Sequence, residues 1–151
     1  LIMMIFMFIG AAQGSTAGGI KINTVAVIYS YVQSVLSGRS DVVLQRYSIS
    51  PEHVQKAFLV LLFGIISIGG GSIVLAFSET EPFQELLFEA VSAFGTVGLS
   101  TGITGGLSTA GKTVIIVLMF FGRLGPLTIL AAAARPERGK TVTFPRGDIS
   151  I

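Results

Sequence analysis

Residues 57–77 (AFLVLLFGIISIGGGSIVLAF) form 21 consecutive positions without a charge. As a helix this run is about 31 Å long, which matches the ~30 Å hydrocarbon core of a bilayer. Lipid offers no water to satisfy backbone amides and carbonyls, so such a run must be helical. Composition supports a membrane setting, because charged residues are only 12% of the chain against ~25% in soluble domains. The sequence has no cysteine and one histidine, His53. That excludes disulfide scaffolds, cysteine-ligated metals and thiol catalysis, and it argues against a His-based metal site or triad. A net charge of +2 is too small to call for a nucleic-acid partner. Leu1 opens inside an apolar run without an initiator Met, which suggests a fragment.

A second candidate span covers residues 113–134 and carries one charge near its middle, Arg123. Residues 22–36 form a weaker third, interrupted by Asn23, Ser30, Gln33 and Ser34. Two apolar stretches are too short to cross, residues 1–9 and 83–94. In the latter, Phe83, Leu86, Leu87, Ala90, Val91 and Phe94 fall on one helical face, with Glu85 and Glu89 pointing elsewhere. Pro82 suits the first helical position, and Glu81 and Glu85 complement the positive end of the helix dipole. Such a helix, ~18 Å long, reaches half-way through a bilayer. It reads as a pore helix entering and leaving on one side, or as a helix lying in the interface. The positive-inside rule places the 38–56 loop (Arg39, Arg46, Lys56) and the tail after Ala134 in the cytoplasm. The connection at 79–89, which carries only acids, then lies outside.

The 19 glycines are too many for plain spans, and the chain repeats itself around them. A short apolar segment, a loop with Gly10, Gly14 and Gly18, and a span are followed later by a half-length helix, a loop with Gly95, Gly98 and Gly102, and a span. Non-helical backbone at membrane depth must be buried in protein or line a watery path. Thr96-Val97-Gly98-Leu99-Ser100 is close to the TVGYG pattern whose carbonyls replace the hydration shell of K⁺. The negative end of the preceding half-helix points at such a site. A cation filter needs about four loops, so the others belong to sequence outside this chain or to a partner.

GSTAGGIK at 14–21, AFGTVGLSTG at 93–102, LSTAGK at 107–112 and GRLGPLT at 122–128 together resemble the Trk/Ktr/HKT superfamily of potassium transporters, most nearly the bacterial Ktr-type membrane subunit. The resemblance implies an all-α integral membrane fold of four membrane helix–pore loop–membrane helix repeats. Residues 1–37 would be the remainder of the third repeat, 38–56 a cytoplasmic connector, 57–134 the complete fourth repeat, with its pore helix at 83–94 and filter loop at 95–102, and 135–151 a cytoplasmic tail. It implies K⁺ uptake across the plasma membrane, not enzymatic catalysis. The expected filter comprises Ala12, Gln13, Gly14 and Ser15 in one loop and Thr96, Val97, Gly98 and Leu99 in the other. K⁺ would lie at the carbonyls of Gln13, Gly14, Val97 and Gly98. Arg123 becomes part of a gate below the filter, and residues 29–38 become a broken, gate-forming segment. No covalent cofactor is expected. Some members use Na⁺ as a coupling ion. The expected partners are the lipid bilayer, a second copy in a homodimer and a cytoplasmic ring of nucleotide-binding regulatory subunits.

Other signals carry less. Residues 106–113 (GLSTAGKT) satisfy the Walker A pattern, but a membrane span follows them and no strand ends in a Mg²⁺-binding Asp, so we read it as coincidence. Arg146-Gly147-Asp148 sits on the predicted cytoplasmic tail and is discounted as an adhesion tripeptide. His53 reads as solvated, Gly69-Gly70-Gly71 as helix packing, Gly122, Gly125 and Pro126 as close packing with a kink, and Phe94 as a buttress. The competing readings are a noncatalytic membrane scaffold packed through its glycines and, less favoured, a P-loop ATPase.

Overall fold

A computed structural model describes residues 1–10, 18–38, 43–44 and 47–125. The described residues are mostly helical: α1 (Ile2–Phe8), α2 (Ile22–Leu36), α3 (Pro51–Ser78), α4 (Phe83–Gly95) and α5 (Thr109–Leu124), with a short 3-10 turn at Ile103–Gly105. Val43–Leu44 and Tyr47–Ser48 pair as a small antiparallel ribbon, the only regular departure from helix among these residues.

The 28 residues of α3 make a rod about 42 Å long. Among the described residues this is the one helix long and apolar enough to cross a membrane. It starts earlier than hydropathy predicts because Pro51 takes the first helical position, where its missing N–H costs nothing. The helix at the second expected span begins at Thr109, and its described part runs 16 residues to Leu124. Gly125 leaves the helix at φ 79° and ψ 132°, which is the interruption that Gly125-Pro126 foretold. Residues 126–151, including the expected tail and the Arg146-Gly147-Asp148 tripeptide, lie outside the described residues. The expected break within 29–38 is not seen inside α2, which runs unbroken to Leu36. It stops at Ser37, followed by Gly38 at φ +63°.

Helix α4 is the centre of the arrangement and packs on α1, α3 and α5. Phe94, Leu75 and Ala90 are fully buried, with Leu86 and Leu118 nearly so. Phe94 stacks on Phe8 with ring centroids 6.3 Å apart, so it is the buttress the sequence suggested. The glycine run behaves unevenly. A methyl on Gly71 would meet Leu118 of α5 at 2.8 Å, whereas the same positions on Gly69 and Gly70 face open space. Within this run, Gly71 alone therefore serves helix contact with the described residues. Large apolar side chains such as Leu62, Ile66 and Phe77 of α3 stay exposed. That is how a surface built for lipid or for further membrane helices looks.

Candidate functional site: the loop after the half-length helix

Helix α4 ends in a defined hydrogen-bond motif. Thr96 N donates to Ala93 O at 3.1 Å and Val97 N to Ser92 O at 3.0 Å, the paired bonds of a Schellman cap. This cap needs a left-handed residue, usually glycine. Here it is Thr96, at φ 51° and ψ 38°. A β-branched residue resists that conformation, at about 1–2 kcal/mol. Thr96 has an offsetting contact, because its Oγ1 accepts a hydrogen bond from Gly18 N at 2.8 Å. The end of the first glycine loop is thus tied to the start of the second.

Beyond the cap the chain is irregular through Thr101. No backbone N–H of the described residues donates to the carbonyls of Thr96, Val97, Gly98 or Leu99. Gly98 has φ +84° and open space where a Cβ would stand, so the backbone conformation, not packing, demands glycine there. The loop returns along α4 and is caught by Glu89. This carboxylate is 4% exposed. It accepts hydrogen bonds from Ser100 Oγ at 2.5 Å, Thr101 N at 2.9 Å and Thr104 Oγ1 at 2.8 Å. The expectation that Glu89 points away from the buried face is therefore corrected. The loop folds over the polar side of α4 and encloses it. A cavity of about 230 Å³ lies between the loop and Ile115 and Met119 of α5.

The first glycine loop is pinched at its neck. Gly10 N donates to Ile20 O at 2.7 Å and Ile20 N to Phe8 O at 3.2 Å. Ala12, Gln13, Gly14 and Ser15 lie outside the described residues.

Helix α5 meets the base of the loop through Gly122. A methyl there would lie 2.7 Å from the carbonyl carbon of Phe94 and 3.1 Å from its Cα. On the other side, the Gly122 carbonyl lies 2.9 Å from where a Cβ on Gly18 would stand. Arg123 follows directly. It stands in the last turn of the described helix α5, two residues before the interruption at Gly125. A cation is electrostatically favoured at such a C-terminus.

At the other end of α5, Ser108 caps the helix by accepting from Gly111 N at 3.1 Å. The Glu79 carboxylate sits against the same turn. It accepts from Ser108 N at 3.2 Å and from Ser108 Oγ. These bonds, that from the Ser108 hydroxyl first, hold the Glu79 carboxyl below its usual pKa of 4.5. The Walker-like stretch at 106–113 thus has its helix N-terminus filled by the protein's own anion, where a P-loop would receive phosphate. Lys112 Nζ is turned to Gly105 O at 3.1 Å. His53 is exposed in the first turn of α3 beside Ser50 Oγ, 2.7 Å from its Nδ1. Pro82 stands just before α4, one position earlier than expected.

A half-length helix that ends in an irregular glycine loop, packed among longer apolar helices with large apolar side chains left exposed, fits the class of helical membrane proteins. A family model described as TrkH, cation transport protein, matches residues 1–142. The chain belongs to this cation transport protein family, whose members are integral membrane transporters. It is similar to the Ktr system potassium uptake protein B of Bacillus subtilis (42% identical over 146 residues, 97% of this chain and 33% of that protein). It is also similar to the protein of the same name from Vibrio alginolyticus (38% identical over 137 residues, 91% of this chain and 30% of that protein). The potassium/sodium uptake protein NtpJ of Enterococcus hirae is 34% identical over 134 residues, 86% of this chain and 30% of that protein. The chain spans about a third of the length of these curated relatives.

Proposed function

We propose that this chain is a pore-lining part of a potassium uptake protein of the plasma membrane. In this reading residues 1–37 end a third repeat and 57–134 form a fourth, joined by a cytoplasmic connector at 38–56 and followed by a cytoplasmic tail. The carbonyls of Thr96, Val97, Gly98 and Leu99, with those of Ala12, Gln13, Gly14 and Ser15, replace the hydration shell of the ion. K⁺ rests nearest Gln13, Gly14, Val97 and Gly98. Arg123 sets an electrostatic barrier on the far side of the loop.

The observation that carries the reading is the loop at Gly98. It leaves the C-terminal end of α4 through a left-handed Thr96, its next carbonyls take no backbone amide of the described residues, and Gly98 is required by φ and not by packing. A scaffold packed through its glycines would place Gly98 against a neighbour, as it does Gly122 and Gly71. The relatives' names carry potassium uptake, and that of NtpJ adds sodium. We extend the first to this chain, with Na⁺ as its coupling ion. A homodimer and a cytoplasmic nucleotide-binding ring are proposed on the family resemblance, the basic 38–56 loop and the tail supplying the docking face.

The test is Gly98→Ser in the full-length protein, expressed in cells that depend on it for K⁺. A serine resists φ +84°, so K⁺ uptake or its selectivity over Na⁺ is lost. Wild-type uptake and selectivity in a well-expressed Gly98→Ser protein contradict the proposal.

A further inference from the structure

We propose that Glu89 is the positioning residue of the filter loop: its buried carboxylate, held by Ser100, Thr101 and Thr104, sets the span of backbone that carries Gly98. The inference rests on the filter reading above and adds the residue that holds the filter in shape.

The loop is anchored twice on α4. Val97 N bonds to Ser92 O at 3.0 Å, and Thr101 N to the Glu89 carboxylate at 2.9 Å. Glu89 and Ser92 are three apart and share a helix face. The chain therefore leaves the helix end and doubles back along it, with only Gly98, Leu99 and Ser100 between the two tethered amides. Both carboxylate oxygens are used: Oε1 takes the Ser100 hydroxyl and the Thr101 amide and hydroxyl, and Oε2 takes the Thr104 hydroxyl. Ser100 Oγ also lies 2.8 Å from Thr104 Oγ1 and accepts from Gly102 N at 2.9 Å. Removing a carboxylate from water is costly unless such donors replace the water, and charge-assisted bonds of this kind are short and directional. The cavity between the loop and α5 leaves the loop without close side-chain packing on that side. Its shape then depends on the Glu89 bonds. A backbone filter discriminates between ions by the positions of its carbonyls, so the residue that fixes those positions acts on selectivity without touching the ion.

The experiment compares Glu89→Ala, Glu89→Gln and Gly98→Ser in the full-length protein, reconstituted in liposomes, by the KM and maximal rate for K⁺ and the K⁺/Na⁺ ratio. Glu89→Ala is expected to raise the KM by about tenfold or more and to lower the ratio, the scale set by losing charge-assisted bonds that shape a binding loop. Glu89→Gln keeps an amide oxygen for Ser100 and Thr101 and restores most of the wild-type KM. A general loss of folded protein would lower the maximal rate alone. A folded Glu89→Ala with wild-type KM and ratio overturns the proposal. Where Glu89→Ala yields no folded protein, Ser100→Ala and Thr104→Val decide: both shift KM the same way, and wild-type KM in both overturns it. If Gly98→Ser is also without effect, the filter reading itself has failed; if Gly98→Ser alone destroys selectivity, only the role of Glu89 has.

Discussion

Replacing Gly122 with alanine tests the contact that places α5, and Arg123 with it, against the base of the loop. The added Cβ would lie 2.7 Å from the Phe94 carbonyl carbon and 3.1 Å from its Cα, with the carbonyl oxygen nearer still. Ordinary contact starts at 3.4 Å, so the carbonyl carbon alone requires the backbones to part by about 0.7 Å (3.4 less 2.7), and the nearer oxygen requires more. Both sides of this clash are backbone, and neither can swing away. Overpacking costs about 1–3 kcal/mol, and an unyielding contact belongs at the upper end. Alanine returns about 1 kcal/mol of helix propensity. The clash wins, leaving a net loss of about 2 kcal/mol, roughly thirtyfold in the folded-to-unfolded ratio. Gly71→Ala is the control. Its methyl meets Leu118 Cδ1 at 2.8 Å, but a leucine terminus can rotate, so the change stays within about 1 kcal/mol. Thermal unfolding of both full-length variants in detergent should show a clear fall for Gly122→Ala and little for Gly71→Ala. A Gly122→Ala protein as stable as wild type refutes the close approach, and with it the placement of Arg123 beside the loop.

Other outcomes follow from the same geometry. Thr96→Val keeps the shape but removes the acceptor for Gly18 N, leaving a buried amide unpaired at about 1–3 kcal/mol; a midpoint unchanged from wild type counts against the tie between the loops. Glu79→Gln tests the α5 cap through pH. The folded-state pKa of Glu79 lies below 4.5, so its contribution is full above that value and fades as pH falls through the lowered one. The wild type should therefore lose its advantage over Glu79→Gln between neutral pH and pH values below 4.5, and a constant gap contradicts the assignment. Arg123→Gln is expected to raise K⁺ flux through the full-length protein, and unchanged flux and gating would remove Arg123 from the gate.

Local pattern made much of the fold legible. The limits of α2 and α4 follow from apolar spacing, and the Schellman end of α4 lies where Gly95 and Thr96 close the run. Hydropathy placed the start of α3 too late because Glu52 and Lys56 continue the helix past its apolar part. It likewise missed the first turn of α5, which Ser108 caps ahead of Lys112. Hydropathy runs on to residue 134 and does not register the interruption at Gly125, which Gly125-Pro126 marked locally. The role of Glu89 was hidden for a different reason. Helical periodicity assigns a lone acid to the wet face, and only a tertiary event, the loop folding over that face, encloses it. The available signal was the group of hydroxyls at Ser100, Thr101 and Thr104, clustered just after a loop that must be held still. The Glu79–Ser108 contact joins residues 29 apart, beyond the reach of any local pattern.

The central claim is that the backbone at Gly98 binds the transported ion. It is tested most directly by anomalous scattering from Rb⁺ or Tl⁺ in crystals of the full-length protein. Density for the ion against the carbonyls of Val97 and Gly98, lost on exchange into Na⁺, is the result expected. Well-ordered crystals in which the ion binds elsewhere and the carbonyls at Val97 and Gly98 turn away from the axis would contradict it.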